Sequence, residues 1–131
     1  MTMAIIDTSF LLLIAKGIAN LDRIKEEMPF VELYVSKPVI EELEKLSNES
    51  SERGRLARWV LSTLIGKVVK ILDLDCEGEE FDERILCTAS KSNALLLTAD
   101  LEMARIAKRK GIKVAVYRSA RRGLETFFSV L

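Results

Sequence analysis

Short apolar runs alternate along this chain with longer stretches in which apolar residues recur at every third or fourth position, and the alternation predicts a β-α-β order. Residues 3–6 read as a buried strand that runs straight into a helix over residues 8–16, stopped by Gly17. A helix over residues 20–28, ended by Pro29, precedes a second strand over residues 31–35. Pro38 opens a helix over residues 39–46. Residues 51–65 set Leu56, Val60, Leu61 and Leu64 on one helical face, and residues 67–72 are a third strand. Then follow a helix over residues 79–90 with Phe81, Ile85, Leu86 and Ala89 inward, a strand over residues 94–97, a helix over residues 100–110 closed by Gly111, and a strand over residues 112–116. The tail, residues 118–131, is expected to form a short helix with Phe127 and Phe128 on its packing side. Parallel neighbours require crossovers, and those crossovers are helical. The expectation is therefore one α/β domain over residues 1–131, a three-layer αβα arrangement around a mostly parallel five-stranded sheet.

Composition supports a core that needs no staples. Of 131 residues 49% are hydrophobic and 31% charged, and a chain of this size hides roughly two thirds of its unfolded surface. Cys76 and Cys87, two cysteines without C-x-x-C spacing, suggest neither a disulfide framework nor a zinc site and fit a reducing, cytoplasmic setting. The apolar N-terminal segment is interrupted by Asp7 and lacks a basic start, so it reads neither as a signal peptide nor as a membrane span. The absence of Gln is a feature shared with heat-adapted proteins. There is no histidine, which excludes a Ser-His-Asp triad and an H-E-x-x-H zinc site. Any chemistry rests on carboxylates, hydroxyls, lysine or a bound metal.

Charge sums to zero but is unevenly spread. Residues 72–83 hold seven acids and no base, and residues 84–131 hold ten bases against three acids. Such asymmetry suggests one face for cations and another for polyanions, although solvated helix faces also explain it.

Ligands of open parallel sheets bind beyond the carboxyl ends of the strands. Asp7 directly follows the first strand and Asp100 follows the fourth, so both fall on that edge; each also suits a helix N-cap. Asp82 lies in the first turn of the helix that leads into the fourth strand, and Glu42 lies on the helix after the second. Four carboxylates from separate segments, with no histidine or cysteine cluster, make a hard oxygen site suited to Mg²⁺ or Mn²⁺. A metal held there supplies a nucleophile without a histidine base, which favours phosphodiester hydrolysis.

The segments IIDTSFLL, PVIEELEKL, FDERILCTA and ALLLTADLEMARIAKRKGI resemble, in order and spacing, the motifs of PIN domains, over residues 3–116. The resemblance implies a metal-dependent ribonuclease, either the toxin of a toxin–antitoxin pair or an RNA-processing enzyme. It implies Asp7, Glu42, Asp82 and Asp100 as catalytic and metal-binding acids, with Ser9 and Thr98 orienting carboxylates or water. Glu41 is an alternative to Glu42, Glu83 can share or take the role of Asp82, and Glu102 matches a further acid of some members. RNA as substrate, an antitoxin protein as partner and a homodimer follow from the same resemblance, as does the alternative of a catalytically silent RNA- or protein-binding module.

Phosphate contacts are expected from the late basic segment: Arg105, Lys108, Arg109, Lys110 and Lys113, with Arg118, Arg121 and Arg122. Basic charge before Gly111 also suits a helix C-terminus. Arg53, Arg55 and Arg58 form a second cluster, better explained as a solvated helix face, and Trp59 with Leu56 offers a dimer face or ordinary packing. A receiver-type signalling domain requires a phosphoacceptor, for which Asp73 is available, and a late lysine, where Tyr117 and Arg118 stand instead.

Overall fold

The computed structural model describes residues 2–118 together with the backbone of residues 123–126. Its elements run β1 (Thr2–Ile6), α1 (Thr8–Ala15), α2 (Leu21–Glu27), β2 (Val31–Ser36), α3 (Lys37–Ser47), α4 (Glu52–Thr63), β3 (Lys70–Leu72), α5 (Phe81–Ser92), β4 (Leu95–Thr98), α6 (Leu101–Arg109), β5 (Val114–Arg118) and β6 (Gly123–Thr126). The strands form one sheet in the order β3-β2-β1-β4-β5-β6. β1 through β5 pair in parallel, as the periodicity predicts. β6 pairs antiparallel with β5, setting Val116 opposite Glu125. This corrects the expected tail helix: four residues are too few to show a period, and the pairing that fixes them is tertiary. Phe127 and Phe128 lie outside the described residues.

The core follows from strands buried on both faces. Ile5, Ile6, Leu96, Leu97, Val114 and Val116 are buried in the central strands, the near-continuous apolar pattern that helices on both sides of a parallel sheet require. Phe10 and Leu11 of α1 are fully buried, as are Val39 and Leu43 of α3. Leu56 is half-buried, whereas Trp59 is 42% exposed.

α3 and α4 meet through a tight turn that depends on Gly54. A Cβ built there would stand 2.1 Å from the carbonyl oxygen of Glu49 and 2.9 Å from that of Leu46. Only a residue without a side chain lets α4 approach the end of α3 this closely. Ser51 caps α4, its hydroxyl accepting from the Gly54 amide.

The cysteines are bonded, which corrects the expectation of two free thiols. Cys76 follows β3 and Cys87 lies on α5, 11 residues apart with Cα atoms separated by 6.0 Å. The spacing alone does not reveal that the acidic loop folds back over the helix. The bond removes the compositional ground for placing the chain in a reducing compartment. Arg84 reinforces the same connection, donating to Asp75 at 2.8 Å, to Glu41 of α3 at 2.7 Å and to the Cys76 carbonyl at 3.2 Å. No described helix is long and apolar enough to cross a membrane.

Closing a loop of this length stabilises the fold by about 3 kcal/mol through lost unfolded-state entropy. Urea unfolding with and without dithiothreitol is expected to show that loss on reduction. Cys87→Ser is expected to be insensitive to the reductant, and equal stability of the oxidised and reduced wild type would contradict it.

Candidate active site

β1 and β4 are neighbours, and from their carboxyl ends the chain departs to opposite sides of the sheet. The crevice opens at this reversal. Asp7 leaves β1 and is only 3% exposed. As N-cap of α1, its Oδ1 accepts from the Phe10 amide at 3.1 Å and from the Ser9 hydroxyl at 2.8 Å. Its Oδ2 accepts from the Thr98 hydroxyl at 2.5 Å. Thr98 and Ser9 in turn accept from the amides of Asp100 and Ala99, at 3.0 and 3.1 Å. The ends of β1 and β4 are thus joined through hydroxyls, and three hydrogen bonds fix the Asp7 carboxylate. Asp100 caps α6, accepting from the Glu102 and Met103 amides.

A cleft of about 190 Å³ at this edge is lined by Asp7, Thr8, Ser9, Leu12, Glu42, Arg53, Asp82 and Asp100. The topology explains the convergence. α1, α3, α5 and α6 each start where a strand, or the loop after it, leaves the carboxyl edge, so their first turns all point there. Glu42 is held by the Thr8 hydroxyl, which donates to its Oε1. Glu41, one residue earlier, turns outward to Arg84.

Electrostatics binds the four acids into one group. Burial pushes Asp7 up to about 7, against the lowering effect of hydrogen bonds from Thr98, the Phe10 amide and Ser9; the charge on Asp82 raises it further. Glu42 is raised first by burial and then by Asp82. Asp82 is raised by burial, then by Asp100, Glu80 and Glu102. Asp82 therefore stands in the field of the other three positions. Such a set repels itself unless protonated or given a cation, and its all-oxygen donors fit a hard divalent ion. As the side chains stand, no three acids among the described residues converge closely enough to grip one.

A parallel sheet with this strand order, over nearly the whole chain, can be set against known families. A family model described as a PIN like domain matches residues 4–120. The chain belongs to the PIN-like domain family. Ribonuclease VapC9 of Archaeoglobus fulgidus is 30% identical over 122 residues, covering 91% of this chain and 85% of its own. The PIN domain endonuclease Utp24 superposes with a TM-score of 0.69 at 19% identity, covering 95% of this chain and 90% of its own. A domain of a functionally unknown protein from Methanocaldococcus jannaschii gives 0.68 at 22% identity, covering 90% and 92%. At these identities the two structures attest the fold.

Within this PIN-like domain the other candidate residues are distributed unevenly. Glu83 lines a separate depression with Glu77, Ser90, Lys91 and Lys110. Glu102 is exposed on α6 beside Asp100. Asp73 lies outside the cleft and pairs with Lys37 at 2.8 Å.

Most of the late basic cluster lies away from the cleft. α6 runs from the carboxyl end of β4 to the amino end of β5, so Lys108 and Arg109 in its last turn, with Lys110 and Lys113 beyond, sit at the edge opposite the acids. Eight residues of helix separate Asp100 from Lys108, about 12 Å along the axis. Basic charge in the last turn also suits a helix C-terminus. Arg105 is exposed midway along α6, and Arg118 ends β5 at the carboxyl edge. Arg121 and Arg122 lie outside the described residues.

Two polar cleft residues, Thr8 and Arg53, escape the sequence pattern, as does the apolar Leu12. Thr8 reads only as the first residue of a helix, and Arg53 as part of an arginine-rich solvated face. The adjacency of Thr8 to Asp7 is the one local signal for the first. The second depends on how α4 packs.

Proposed function

We propose that this protein is a divalent-metal-dependent ribonuclease that hydrolyses phosphodiester bonds of RNA in the four-carboxylate cleft. The observation that carries the reading is the convergence of Asp7, Glu42, Asp82 and Asp100, from four separate segments, on one cleft at the β1–β4 switch point. The name of the Archaeoglobus fulgidus relative, Ribonuclease VapC9, supports the same activity. Asp7, Glu42, Asp82 and Asp100 would hold Mg²⁺ or Mn²⁺. When bound, such an ion polarises a phosphoryl oxygen and lowers the pKa of its water.

The chain's own residues supply the preorganisation. Ser9 and Thr98 fix the plane of the Asp7 carboxylate, and Thr8 fixes Glu42. With their hydrogens so committed, the hydroxyls orient acids rather than attack phosphorus. A toxin and an RNA-processing enzyme both use this chemistry. The antitoxin partner and the homodimer belong to the family resemblance.

An end-labelled single-stranded RNA incubated with the protein and Mn²⁺ or Mg²⁺ tests the reading. Cutting is expected with either ion and is expected to cease in EDTA. Asp82→Asn, which removes the charge at the centre of the acidic group, is expected to slow cutting by about 10²-fold or more. Glu41→Gln, outside the cleft, is expected to retain activity. A wild type that binds metal yet leaves varied RNAs intact overturns the assignment in favour of a binding module.

A further inference from the structure

Four carboxylates repel the polyanion they are to cut, so a nuclease cleft needs a cation on the substrate side. The basic cluster that sequence favours for this task lies largely at the opposite edge of the sheet. Arg53 is the basic residue among those lining the cleft within the described residues. It stands in the first turn of α4, which packs against α1 and α3, the helices that carry Thr8 and Glu42. Resting on the ribonuclease reading, we infer that Arg53 grips the scissile phosphate of RNA as it enters the carboxylate cleft.

The state of the guanidinium carries the inference. Arg84 commits its donors to Asp75 and Glu41, and Arg58 donates to the carbonyls of Ser47 and Glu49. Arg53 makes no hydrogen bond or ion pair among the described residues, although it stands beside four acids. Its charge is felt at Glu42, where it opposes the effect of burial. A planar fork of N–H donors next to a metal-type carboxylate set matches two non-bridging phosphate oxygens in a way an ammonium cannot.

Size points to the same substrate group. At about 190 Å³ the cleft is smaller than the roughly 300–1,000 Å³ of sites that engulf a small molecule. It admits a phosphodiester rather than enclosing a base. The recognition is therefore of backbone, and sequence preference has to arise elsewhere.

Neighbouring positions provide the controls. Arg55, two residues on, is exposed and does not line the cleft. Arg53 itself is exposed, so its substitution leaves the core untouched.

The experiment measures binding and cutting separately. Binding is read in the Asp7→Asn background, with a fluorescein-labelled single-stranded oligo-RNA in Mn²⁺ across a salt series. Adding Arg53→Ala is expected to weaken affinity about tenfold and to make the slope of log affinity against log salt shallower by about 0.7, the loss of one phosphate contact on a single strand. Arg53→Lys is expected to keep most of the slope, and Arg55→Ala to change neither quantity. In the otherwise wild-type protein, Arg53→Ala is expected to lower kcat about 10²-fold with a smaller change in KM, because the fork matters most as charge builds on phosphorus. Lysine is expected to rescue binding better than kcat.

Unchanged affinity and slope in the binding series, or wild-type kcat for Arg53→Ala, overturns the role of Arg53. So does an Asp7→Asn protein that binds no RNA. A wild type that never cuts, while Arg53→Ala still weakens binding, instead overturns the ribonuclease reading and leaves the phosphate contact standing.

Discussion

Asp7→Asn is expected to abolish RNA cleavage, by at least ~10²-fold, and at the same time to make the metal-free protein more stable. The two effects share one cause. Asp7 is buried among hydroxyls and amides, and burial raises its pKa from 3.8 to about 7. The folded state therefore holds a proton that the unfolded chain gives up near pH 4. The stability of the metal-free protein is then greatest below about pH 4, as far as this group is concerned, and declines as pH rises from 4 to 7. Forcing the charge into that site near neutral pH costs roughly 2–4 kcal/mol.

Asparagine removes the charge, caps α1 as well as aspartate does, and offers an N–H to Thr98, whose oxygen can accept it. Melting curves in EDTA between pH 4.5 and 8 test this. The wild-type melting temperature is expected to fall toward high pH relative to the variant. Parallel curves would show that Asp7 is already ionised. Glu42 and Asp82 are also raised, so the variant keeps part of the slope.

The second large effect is expected far from any acid. Gly54→Ala drives a methyl group against the Leu46 carbonyl near the end of α3 and the Glu49 carbonyl in the turn that follows, backbone that cannot give way as a flexible side chain would. Overpacking against fixed backbone costs about 3 kcal/mol, which for a domain of this size lowers the melting temperature by about 10 °C. Because α4 must move away from α3, Arg53 leaves its place at the cleft, and RNA cleavage is expected to fall below what the stability loss explains. Gly17→Ala is the comparison. Gly17 has φ of +81° with nothing within 4 Å of the added methyl, so only backbone strain of about 1 kcal/mol applies. If both variants melt alike, the close helix approach is not what Gly54 provides.

Much of this was legible in residue order, and the parts that were not have a common origin. Asp7 and Asp100 announce themselves because a carboxylate directly after an apolar run caps a helix and falls on the ligand edge, whatever the rest of the chain does. Glu42 and Asp82 follow from their helices' connection to that edge. Thr8 and Glu42 are 34 residues apart, and nothing local to either predicts their hydrogen bond. Gly54 looks like a weak point inside a helix, when its value lies in what it allows from outside. Lys108 and Arg109 look like a phosphate site until the direction of α6 puts them at the wrong edge. Arg53 is hidden for the complementary reason, since its neighbours Arg55 and Arg58 do belong to the solvated face. Cys76 and Cys87 meet only because the loop after β3 turns back. In each case the missing information is the relative placement of two elements.

The pairing of β1 with β4 has a consequence for when the chemistry becomes available. Asp7 is synthesised 91 residues before Thr98, and the cleft exists only when these distant segments lie side by side. No contiguous fragment that stops short of β4 and the start of α6 contains the site. A growing polypeptide therefore lacks the cleft until β4 and the start of α6 have been made, because the same long-range pairing that builds the sheet also builds the cleft.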